Sequence, residues 1–72
     1  MNRIGRRISE EVKIGFLDRH DRLAVEAFDD DIKESAEEIA VLARKELKYS
    51  KTTVNIDILR ALRFANERRM SR

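Results

Sequence analysis

Residues 21–49 read DRLAVEAFDDDIKESAEEIAVLARKELKY, and the reading of this stretch decides the fold. Apolar or small residues fall at Val25, Phe28, Ile32, Ala36, Ile39, Ala43 and Leu47, always three or four positions apart. That spacing keeps one face of a helix apolar throughout. Ala24, Ala27, Ala40 and Leu42 widen the stripe, while Asp30, Glu34, Glu37 and Lys45 take the opposite side. Asp21 suits an N-cap, acids gather in the first half, and Arg44, Lys45 and Lys48 gather in the last turns, as the helix dipole favours. The pattern predicts one helix of about 28 residues, roughly 42 Å long at 1.5 Å per residue. A rod of that length is too long for a compact domain of this size, so part of its stripe needs a partner surface.

The flanks add a shorter helix on each side. Ser9-Glu10-Glu11-Val12 reads as an N-cap followed by first-turn acids, and Ile8, Val12, Phe16 and Leu17 share a face; a start near Asn2 is the alternative, since Ile4 and Ile8 continue that face. Asp18 to Asp21 reads as the connection. After the central stretch come Lys48, Ser50, Lys51, Thr52 and Thr53, then Val54; the β-branched run favours a short extended piece. Asn55 suits a second N-cap. Ile58, Leu59, Leu62 and Ala65 mark a third helix of about ten residues, with a fraying basic tail, NERRMSR. The expectation is an all-α chain, short helix – long central helix – short helix, forming a single domain over residues 1–72 with its core at about 10–66.

Composition narrows the function. At 72 residues the chain buries only about 60% of its unfolded surface, which favours oligomerisation. There is no cysteine, hence no disulfide and no cysteine-bound metal. No apolar run reaches membrane-spanning length, and no apolar segment follows the basic start in the manner of a secretory signal. The net charge of +2 is unevenly spread: residues 23–43 carry Lys33 against seven acids, whereas 44–72 carry nine bases against Glu46, Asp57 and Glu67. A basic end beside an acidic middle points to a polyanion partner. His20 is the lone histidine, so no nucleophile–base set can be assembled. Asp29, Asp30 and Asp31 diverge around a helix rather than converge on an ion. No glycine-rich phosphate loop or zinc spacing exists. The chain reads as a non-enzyme with no cofactor, no metal, no small-molecule substrate and no membrane partner.

Two stretches bear a family likeness. RHDRLAVEAFDDDIKESAEEIA, residues 19–40, resembles the first loop and central helix of the histone fold, archaeal histones above all. KTTVN followed by Asp57 resembles that family's second loop, as in archaeal histones and small kinetochore and DNA-repair histone-fold subunits, with Lys51 where the family carries an arginine. The resemblance covers roughly residues 10–66. It implies two chains interlocked as a handshake dimer, homodimer or heterodimer, crossing near Ala36 and Ile39. It implies that the first loop of one chain pairs with the second loop of the other and that both face DNA. Arg19, Arg22, Lys48, Lys51, Thr52 and Thr53 are then the DNA-binding residues, and Asp57 is a structural loop clamp.

The leading expectation is therefore a small histone-like protein that binds double-stranded DNA with little sequence preference, in the cytoplasm or nucleoid, or in the nucleus of a eukaryote. The alternative is a histone-fold or three-helix adaptor whose partner is protein, which the acidic middle favours. A helix-turn-helix regulator using residues 50–69 ranks last, because the turn is too extended.

Overall fold

The computed structural model describes residues 8–71. Four helices follow one another. They are α1, Glu10–Arg19; α2, Asp21–Ala24, widening into a π-helical turn over Val25–Asp29; α3, Lys33–Glu46; and α4, Asn55–Met70. The all-helical class agrees with the sequence, and no strand occurs among the described residues.

The central stretch departs from expectation. It is not one long helix but α2 and α3, separated at residues 30–32. Asp31 adopts φ 56°, a left-handed conformation that ends the first segment. Aspartate is a poor helix former that tolerates this conformation. The break also reverses an electrostatic expectation. Asp29, Asp30 and Asp31 sit at the C-terminal end of α2, where the helix dipole disfavours anions, not in the first half of a long helix. Folding back allows the apolar stripe to bury itself. Ala27 and Phe28 on one side of the break share a core with Ile39, Ala40 and Ala43 on the other. Ile39, expected at a crossing between two chains, is fully buried within one.

The other elements close around this core. Ser9 caps α1, its Oγ accepting from the Val12 N–H at 3.2 Å. The expected loop between the first helices shrinks to a corner at His20, whose N–H donates to the Phe16 and Leu17 carbonyls at 3.1 and 3.2 Å. Phe16 and Leu17 from α1, Ala24 from α2, and Ile58, Leu62 and Ala65 from α4 complete the centre, with Leu59 and Leu42 at its margin.

α4 is 16 residues long, not about ten, and the expected fraying tail is helical through Met70. Arg69 explains the extension. Its guanidinium side chain is only 7% exposed and reaches Asp18 at 3.0 Å and Asp21 at 2.8 Å. Its Nε donates to Asn66 Oδ1 at 3.1 Å. The C-terminal turns are thereby tied to the corner between α1 and α2.

Candidate nucleic-acid interface

The second loop and the helix end that feeds it form the most cationic surface without local compensation. α3 stops at Leu47, whose N–H donates to the Ala43 carbonyl at 2.8 Å. Lys48 then turns the chain with φ 60°. Within the loop, Ser50 organises a tight turn. Its carbonyl accepts from the Thr53 N–H at 3.0 Å, and its Oγ accepts from the Thr52 N–H at 3.2 Å. The Ser50 and Thr52 hydroxyls lie 2.9 Å apart. Val54 is extended, with ψ 155° and no side-chain cap, so the N-cap expected at Asn55 lies one residue earlier.

Arg44 holds this loop. From the last turn of α3 it donates to the Ser50 carbonyl at 3.0 Å, to the Thr53 carbonyl, and to Asn55 Oδ1 at 2.7 Å. Within this chain the side chain that spans the loop is Arg44. The Asp57 carboxylate faces Arg60 at 3.8 Å, one turn along α4. The reason is geometric. A guanidinium can fork across several carbonyls, and Arg44 sits directly before the loop it spans. Nothing local in the sequence marked Arg44, because its acceptors are mostly backbone carbonyls.

Ion pairing separates the cations into two groups. Arg19 and His20 both meet Glu46, at 3.1 and 3.0 Å. Arg60, Arg63, Arg68 and Arg69 each face an acid, as does Lys13. Among the described residues, Arg22, Lys33, Arg44, Lys45, Lys48 and Lys51 have no carboxylate within ion-pair distance, and four of these six lie between residues 44 and 51. Lys45, Lys48, Lys51 and Thr52 are exposed, and Thr53 is half-buried.

The candidates from the first loop are placed differently. Arg19 keeps 59% of its side chain exposed but is engaged with Glu46 just before the second loop. The Arg19 hydrogen bond, aided by His20 and opposed by desolvation, holds the Glu46 carboxyl below its usual range. Arg22 borders a shallow groove of about 290 Å³ that also carries Glu26 and Glu38, a poor setting for phosphate. His20 packs on Phe16, ring centroids 4.8 Å apart, and serves the corner. No cluster of three or more metal-ligating side chains occurs among the described residues. No helix among them is long and apolar enough to cross a membrane.

A second surface lies on the outer face of α4. It is a broad, shallow groove of about 670 Å³ containing Arg60, Arg63, Phe64 and Glu67, with Lys13 from α1. Ile56, Phe64 and Met70 are more than half exposed, and Arg68 lies over the Phe64 ring at 5.2 Å.

No protein-family model, curated protein or solved structure matches the chain. The histone-fold likeness therefore rests on the quoted residues alone.

Proposed function

We propose that this protein is a small, non-catalytic module that binds the phosphate backbone of double-stranded DNA through residues 44–53, with little sequence preference. The observation that carries the reading is the set of uncompensated cations at the end of α3 and in the loop. The α3 dipole accounts for cations in its last turn, but its influence fades within that turn. Lys51 stands well beyond it, at a turn already fixed by Arg44 and Ser50. A preformed loop presenting Lys48, Lys51 and the Thr52 hydroxyl loses little freedom on meeting phosphates, and these groups position a protein without reading bases. A histone-type arrangement has residues 21–49 as one helix, whereas here they form α2 and α3.

The test is fluorescence anisotropy on a random-sequence duplex across a salt series. If Lys45, Lys48 and Lys51 each neutralise one phosphate, their joint replacement by Gln flattens the slope of log affinity against log salt by about 2.7 per bound chain, at roughly 0.9 per contact. No binding by the unaltered protein at low salt sinks the reading. The function then passes to a protein partner, for which the exposed Ile56, Phe64 and Met70 on α4 are the specific support.

A further inference from the structure

The break between α2 and α3 lacks the residues that normally build a helix stop and a helix start. The chain turns through φ 56° at an aspartate, where glycine is usual. Ile32 occupies the N-cap of α3 and offers no side-chain bond to the first-turn amides. Across the break the helical spacing runs on through Phe28, Ile32, Ala36 and Ile39. Ile32, which that register places in the apolar stripe, is left 39% exposed. The turn before the break is over-wide, with the Asp30 N–H on the Val25 carbonyl at 3.0 Å and the Ile32 N–H on the Glu26 carbonyl at 2.9 Å. The apolar register thus runs on through a break that the aspartates permit and tertiary contacts stabilise.

Arg63 of α4 supplies the principal contact. It donates to the Phe28 carbonyl at 3.2 Å, faces Asp31 Oδ1 at 3.5 Å, and lies over the Phe28 ring at 5.3 Å. Ser35 Oγ adds a bond across the break to Glu26 at 2.9 Å. The far ends are held as well, by Arg19 and His20 on Glu46. In one continuous helix from residue 21 to 46 these ends would lie about 38 Å apart, so that contact could come only from another copy.

We propose that residues 30–32 are the hinge of a domain exchange, with Arg63 as the latch of the closed chain. Straightening the hinge joins α2 to α3, and each of two copies packs its α1–α2 half against the α3–α4 half of the other. The partner is a second copy because opening uncovers only surfaces already complementary to each other within this chain: Phe16, Leu17 and Phe28 on one half, Ile39, Ile58 and Leu62 on the other. Exchange of identical elements is a low-cost route to dimers. The closed chain is the resting form, and the hinge sets the exchange; this is not a permanently interlocked pair. The inference stands apart from DNA binding, since its readout is oligomeric state.

Asp31→Ala removes a side chain suited to the left-handed turn and supplies a better helix former. It should favour the open form roughly tenfold per chain, and so lower the dimer dissociation constant about a hundredfold for two hinges. Asp31→Gly should move the constant the opposite way. Arg63→Gln, which leaves the hinge backbone untouched, should move it in the same direction as Asp31→Ala. Light scattering over a concentration series reads the constant. Spin labels on cysteines placed at exposed Arg22 and Val41, diluted with unlabelled chains, read the intrachain distance. It should be about 28 Å in the dimer, for nineteen residues of straight helix, and much shorter in the monomer, where Arg22 borders the same groove as Glu38 and Leu42. A dimer that keeps the short distance overturns the proposal. So does failure of both Asp31→Ala and Arg63→Gln to dimerise more readily than the unaltered chain.

Discussion

Replacing Arg69 by Ala should destabilise the fold by about 2–3 kcal/mol, because one side chain joins the end of α4 to the corner between α1 and α2. The bonds lost include those to Asp18 at 3.0 Å, to Asp21 at 2.8 Å and to Asn66 at 3.1 Å. A fully buried pair would cost more to break, but the two carboxylates are 49% and 62% exposed and rehydrate once freed. The Arg69 side chain is 7% exposed, so loss of stem packing adds to the lost bonds. For a domain of this size each kilocalorie moves the melting temperature by about 4–8 °C, giving a drop of roughly 10–20 °C. Thermal and urea unfolding followed by circular dichroism measure it. The difference should shrink only in part at high salt, since the Arg69 side chain is shielded while both carboxylates are half-exposed. Adding Asp18→Asn and Asp21→Asn to Arg69→Ala should cost little more, because the three groups act as one unit. A drop below about 2 °C, or one that disappears in high salt, would show Arg69 to be an ordinary surface cation.

Other perturbations probe separate parts. Leu62→Ala, at a fully buried position, should cost about 2–5 kcal/mol in urea unfolding; a change near the surface norm of half a kilocalorie would mean α4 packs otherwise. Arg44→Lys keeps the charge but cannot span the Ser50 and Thr53 carbonyls and Asn55 together, so amide exchange over residues 50–55 should quicken, whereas unchanged protection would remove Arg44 as the clamp. The Glu46 carboxyl is depressed in the folded state by Arg19 and His20, so its stabilising contribution is fully present above the ordinary glutamate range and is lost as pH falls through its folded value. The stability gap between the unaltered protein and Glu46→Gln should shrink in acid as the carboxyl is protonated; a gap that does not change on acidification contradicts the pairing.

The sequence made the helices legible where side chains act locally. Ser9 with its following acids marked one of the two starts open to α1, the one the structure has, and the spacing of Ile58, Leu62 and Ala65 marked the buried face of α4. The break between α2 and α3 was hidden because periodicity counts faces and not ends. Phe28, Ile32 and Ala36 keep their register whether or not the helix between them is whole. The contacts that Arg63 makes at the break come from more than thirty residues away along the chain. The end of α4 was misread for a related reason: NERRMSR looks like a free basic tail until Arg69 meets Asp18 and Asp21. In the candidate interface, Lys48, Lys51 and Thr52 were visible as a cationic, hydroxyl-rich loop. The pairing of Arg19 with Glu46, and the role of Arg44, emerged only from the fold.

The most direct test of the DNA reading is a titration of the isotope-labelled protein with random-sequence duplex, followed amide by amide in nuclear magnetic resonance spectra at low salt. Binding through the end of α3 and the second loop predicts the largest shifts between Arg44 and Asn55, reversed by added salt, with the acidic residues Glu34 and Glu37 of α3 unmoved. Shifts confined to Ile56, Arg60 and Phe64 on the outer face of α4, or no shifts at all, would contradict it.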